Sequence, residues 1–194
     1  GRTPPACSYF SYRSYVYSQF FPTTGARRIV FASLGDPLNQ MTIKTSGTPD
    51  GQEGSPFNQT TVIVVTADQG IDQRVRAAAQ AAGFPISVIN TDVIPSSLVN
   101  MGLEENADKF LILLRLAFFQ DRQAGQAFMS SIPVKLFRLT PTNATTLDPY
   151  EVPALRVRGT GDMSEFDLLG ALEELRQAIL AKHGAANATE LATS

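Results

Sequence analysis

Three aspartates, Asp36, Asp68 and Asp92, each stand at the end of a stretch rich in apolar and β-branched residues. In open α/β sheets, ligands bind beyond the carboxyl ends of the strands. Carboxylates brought together there by neighbouring strands would offer Mg²⁺ or Ca²⁺ the hard oxygen ligands it prefers. That is the site a metal-dependent α/β hydrolase would need. The competing reading is structural: Asp68 caps the helix that follows it, and Asp36 and Asp92 shape turns, work that Asp does very often. Nucleophilic chemistry has little to draw on. His183 is the one histidine and Cys7 the one cysteine. There is no Gly-x-Ser-x-Gly elbow and no phosphate-binding glycine loop. One His and one Cys do not make up the usual zinc ligand set. No cofactor is implied. His183 fits a helix C-terminus, where the backbone dipole favours a cation. Cys7 has no partner within the chain, which leaves a free thiol or a bridge to another chain.

The most distinctive pattern is aromatic. Four of the five tyrosines, Tyr9, Tyr12, Tyr15 and Tyr17, fall in the first 25 residues with Phe10, Phe20 and Phe21, interleaved with serines and Arg13. Tyrosine is enriched at interfaces because its ring is apolar and its tip polar. An extended aromatic segment can also add a strand to another sheet's edge. The expectation is an N-terminal arm, residues 1–25, that mediates self-association or binding to another protein through Tyr9, Tyr12, Arg13, Tyr15, Tyr17 and Phe20. The same rings could stack on sugars, which makes a carbohydrate-binding module a further alternative. The structural reading is an edge strand packed on its own core.

The elements that would position these residues follow from periodicity. Residues 60–66 form a continuous apolar run suited to a buried parallel strand. Ile71, Val75, Ala78, Ala79 and Ala82 share one helical face, with Asp68 as N-cap and Gly83 and Pro85 as the stop. Residues 86–94 read as the next strand, so 60–94 form a βαβ unit with a right-handed crossover. Residues 28–33, 109–119, 134–139 and 154–158 read as further strands, 46–59 as a surface loop, and 96–101 and 121–130 as helical. A last helix, capped by Asp162 or Ser164, carries a stripe of Leu168, Leu172, Leu175 and Ile179 for burial. The predicted fold is α/β: a single domain, residues 26–184, with a mixed and mostly parallel sheet of about five or six strands, flanking helices, the N-terminal arm and a disordered tail at 185–194.

Residues 62–70 (Val-Ile-Val-Val-Thr-Ala-Asp-Gln-Gly) resemble a metal-binding stretch of the alkaline phosphatase and sulfatase superfamily. In that family an Asp-His pair follows the strand. Here Gln69 stands where the ligating His would be and the one His is elsewhere, so no ligand role passes to Asp68.

Composition bounds the function classes. With 16 Lys and Arg against 18 Asp and Glu, a net charge of −2 and no basic run longer than Arg27-Arg28, the chain lacks the concentrated basic face that nucleic-acid binding requires. Its longest apolar run, 110–119, is broken by Arg115 and is too short for a bilayer span. Three sequons, at Asn58, Asn143 and Asn187, suggest a secreted glycoprotein with these residues on surface loops.

Overall fold

The computed structural model describes residues 1–140, 147–151 and 169–188. The chain divides into two units, Gly1–Val152 and Pro153–Ser194. The expectations for Asn143, the strand at 154–158, the caps Asp162 and Ser164, Leu168 and the tail beyond 188 lie outside the described residues.

In the first unit, the residues expected to form a free arm make the central strand of an antiparallel sheet. Strand β1 (Cys7–Phe21) pairs on one side along nearly its whole length with β6 (Lys109–Phe119), from Cys7 opposite Phe119 to Ser18 opposite Lys109. On the other side its stretch from Tyr15 to Phe21 pairs with β2 (Ala26–Ser33), and Ser11 and Tyr12 pair with β3 (Leu38–Asn39). The β1–β2 hairpin turns at 22–25, where Gly25 takes φ 61°, a conformation that costs glycine little. Aromatics on both faces of β1 are what a strand covered on two sides needs. Phe10, Tyr12 and Val16 fill one face and Tyr15 the other, each at most 7% exposed.

The sheet expectation is therefore corrected. Among the described residues, the main sheet has four strands and is antiparallel, and only β4 (Val62–Thr66) and β5 (Ile89–Val93) run parallel, as a separate pair. A βαβ unit of two strands does not recruit further parallel strands here, because the longest strand, β1, takes antiparallel partners on both edges. The strand–helix–strand order of 60–94 is present. Helix α1 (Gln69–Ala81) lies between β4 and β5, and its N-cap is Asp68. Three expected elements differ: residues 86–88 form a short 3₁₀ turn, 96–101 holds only a 3₁₀ turn at Ser96–Leu98, and 134–139 lie outside any strand and are exposed.

Alternation along β4 and β5 makes this unit three layers. Ile63 packs into a cluster with Cys7, Phe10, Tyr12 and Ile43 against the antiparallel sheet. Val62, Val64 and Ile89 face the other way, onto Val75 and Ala79 of α1. Helix α2 (Arg122–Ser130), capped by Asp121, closes the end of β6. Its Gly125 leaves no room for a side chain, since a Cβ there would stand 2.4 Å from the Phe119 ring.

In the second unit, α3 (Leu169–His183) ends with Lys182 and His183 in its last turn, as the dipole argument expects. The stripe expected to be buried is not: Leu172, Leu175 and Ile179 are 61%, 57% and 44% exposed.

Candidate functional site

The three aspartates do separate structural work. Asp36 is exposed in the loop before β3. Asp68 accepts hydrogen bonds from the backbone N–H groups of Ile71 at 2.8 Å and Asp148 at 2.7 Å. These bonds, led by that from Asp148, hold its carboxyl below the usual carboxylate range. Asp92 projects from β5 onto β1, where one oxygen accepts from the Ser14 backbone N–H at 3.1 Å and the Ser14 hydroxyl at 2.6 Å. Ser14 lies between the β3 and β2 pairings of β1, so its N–H needs a partner from outside the sheet, and Asp92 supplies it. Burial pushes the Asp92 carboxyl up, against the pull of the two Ser14 bonds and of Arg13. Among the described residues, no group of three or more His, Cys, Asp or Glu side chains is placed to hold a metal ion.

The carboxyl end of β4, where a ligand would sit in an open α/β sheet, is occupied by the chain itself. Gln69 N–H donates to the Asp148 carbonyl, and Tyr150 N–H donates to the Ala67 carbonyl. Beneath this strap, Asp72 is buried and pairs with Arg76 at 2.9 Å. It also accepts from the Thr91 hydroxyl at 2.9 Å and the Tyr150 hydroxyl at 2.8 Å. Arg76 in turn donates to the Ile89 carbonyl and to Thr91. Burial, and then the neighbouring Asp72, push the Tyr150 hydroxyl up. The network is closed on itself and fastens the strap to the βαβ unit. The sequence reading did not single out these four side chains. The i,i+4 spacing of Asp72 and Arg76 is the one local signal for any of them.

The aromatic residues divide by strand parity. Phe10 and Tyr12 face the core and meet edge to face at 6.1 Å. Burial there raises the Tyr12 hydroxyl to about 12. Tyr15 faces outward with Arg13. Phe31 stacks on Tyr15 at 5.1 Å and meets Tyr17 edge-on at 6.5 Å. Phe31 reaches this position through a bulge: Val30 and Phe31 together oppose Tyr17, and Phe31 takes φ 44°, in the left-handed region. Tyr9 and Phe20 are half-buried and Tyr17 is exposed on β1. Cys7 is buried, with its thiol donating to the Tyr9 carbonyl and pushed up by burial, so the core shields it from another chain.

No match comes from protein-family models, curated proteins or solved structures. Asn58 and Asn187 are exposed, and the Asn187 amide donates to the His183 carbonyl at 3.0 Å. An open cavity of about 370 Å³ lies over the 40–54 loop, between Met41, Ile43 and Glu53. No helix of the described residues is long and apolar enough to cross a membrane.

Proposed function

We propose that this chain is a non-enzymatic interaction domain, exported from the cell that makes it, and that its partner is a second copy of itself joined edge to edge through β6. The tyrosine-rich strand is not the binding element; it organises the sheet whose edge is. One observation carries this reading. Among the described residues, β6 pairs with β1 alone, so its other edge offers the backbone N–H and C=O groups of about every second one of its eleven residues. A long apolar edge is a template for pairing with another chain. The strand contains no Pro and no Gly, and its only charges are Lys109 and Arg115. Antiparallel pairing about a two-fold axis at Leu114 would set Lys109 opposite Phe119 and Arg115 opposite Leu113, so like charges do not meet. Ile112 and Phe118, 41% and 82% exposed, would be covered in part by the added strand.

Light scattering over a concentration series tests this. The wild type forms a dimer, Ile112→Lys is monomeric with an unchanged circular dichroism spectrum, and Ile29→Lys on β2 remains dimeric. A wild type that stays monomeric at its highest soluble concentration ends the proposal, and so does dissociation by Ile29→Lys instead of Ile112→Lys. Export is supported by the exposed positions of Asn58 and Asn187. Protein secreted from eukaryotic cells should gain mobility on a gel after glycan removal, and the absence of any shift removes export from the reading.

A further inference from the structure

The outward face of the antiparallel sheet places two guanidinium groups around one ring. Arg13 and Arg115 lie 6.0 Å and 5.4 Å from the centre of the Tyr15 ring. They reach it from different strands, β1 and β6, and Arg115 also donates to the Tyr15 hydroxyl. Arg13 is tied to the Ser33 hydroxyl. Phe31 supports the Tyr15 ring by stacking on it. Among the described residues, neither arginine forms an ion pair: the two ion pairs there join Arg76 to Asp72 and Arg176 to Glu173. The carboxylate whose charge Arg13 does meet, Asp92, is taken up by Ser14 on the opposite face of the strand. Two like charges beside one aromatic ring repel each other, and cation–π attraction offsets this only in part.

A second observation on the same face is independent of the arginines. The Ser11 hydroxyl is buried, Ser11 being 1% exposed, and it makes no hydrogen bond. Ser11 shares the outward parity of Arg13 and Tyr15, and its partner across the ladder is Arg115. A buried hydroxyl without a partner is costly and uncommon. It would gain one from an oxyanion drawn in beside Arg115, because a hydroxyl donates readily to a charged oxygen.

We propose that Arg13, Arg115 and Ser11 form a binding site for a small oxyanion, a carboxylate or a phosphate, seated against the edge of the Tyr15 ring. The guanidinium of Arg115, freed from the Tyr15 hydroxyl, supplies a two-pronged contact. Arg13 supplies the second charge, and the Ser11 hydroxyl supplies a neutral donor. This site lies on a face of the sheet and does not depend on pairing at the β6 edge.

Calorimetric titration of the full chain at constant ionic strength, with inorganic phosphate in one arm and citrate in the other, tests the proposal. Chloride serves as the background anion. Saturable binding of either probe is expected, and the stronger arm identifies the chemistry. Arg115→Gln and Arg13→Gln should each weaken it about tenfold, the scale of losing one charge-assisted contact. Ser11→Ala should weaken it less while leaving the fold intact. Arg115→Lys, which keeps the charge and loses the fork, should fall between wild type and Arg115→Gln. Arg122→Gln, a control away from this face, should bind as wild type does. Absence of saturable binding in both arms overturns the proposal. Equal weakening by Arg122→Gln overturns it too, since that would mean diffuse charge attraction. If Arg115→Gln does not fold, Arg13→Gln and Ser11→Ala carry the test, and unchanged binding in both overturns it.

Discussion

The βαβ unit of residues 62–93 and the long strand β1 bury aspartate and aromatic side chains in the same unit, yet they are held by different kinds of interaction. In the βαβ unit, each element carries its own instructions. The helix has an N-cap in Asp68, an apolar face in Val75 and Ala79, and Gly83 at φ 92° just past its end. Strand β1 has one local partner, β2 across the turn at 22–25, and no cap or helical face of its own. Its partners are Ala26–Ser33, Leu38–Asn39 and Lys109–Phe119, and the last is about a hundred residues away in sequence. Elements built from local signals tolerate the loss of one contact. A central strand that joins distant segments does not, because each of its side chains completes a surface built by others.

The largest effect expected from this contrast is in β1. Phe10 is fully buried and meets Tyr12 and Phe57 edge to face. Phe10→Ala should cost about 3–5 kcal/mol in urea unfolding. Ile89, equally buried in the βαβ unit, should cost about 2–4 kcal/mol on change to Ala, towards the lower part of the usual range. A larger loss at Ile89 than at Phe10 would break the comparison.

Next is Asp92, the contact between the two regions. Asp92→Ala leaves the Ser14 N–H unpaired inside a central strand and should cost about 1–3 kcal/mol. Asp92→Asn keeps an acceptor of the same shape and should cost much less. Because burial raises the Asp92 carboxyl, its protonated form is favoured in the folded state. Its contribution to stability is therefore full below the ordinary Asp pKa and is lost as pH rises through the higher folded value. Asp68 has the opposite sign. Its carboxyl is lowered, so its contribution is present above the ordinary pKa and is lost as pH falls through the folded value. Melting temperatures measured against pH should show Asp92→Asn removing a loss as pH rises above the ordinary Asp pKa and Asp68→Asn removing a loss as pH falls below it. The same direction for both would contradict the assigned environments.

Smaller effects sharpen the picture of the βαβ unit. Asp68→Ala should cost about 1 kcal/mol as a lost N-cap. It should also loosen the strap at 148–150, seen as faster hydrogen exchange of the Gln69 and Tyr150 amides. Tyr150→Phe removes one hydrogen bond to Asp72, which keeps Arg76 and Thr91. It should cost about 0.5–1.5 kcal/mol, the least of the series.

The sequence legibly determined the elements whose signals are local. These are the β4–α1–β5 order, the cap at Asp68, the strand at 109–119, the helix after Asp121, and the position of Lys182 and His183 at a helix end. Each rests on 3.6-residue periodicity, an apolar run or a capping residue, and those act within a few residues. Tertiary structure alone decided that the aromatic start is the middle of a sheet, that this sheet is antiparallel, and that Asp36, Asp68 and Asp92 part company. It alone brought Tyr150 to Asp72 and Arg115 to Tyr15. Strand pairing is made by backbone groups that every residue carries, so a strand's composition shows that it will be buried but not between which neighbours, and a contact across a hundred residues leaves no mark in the local pattern.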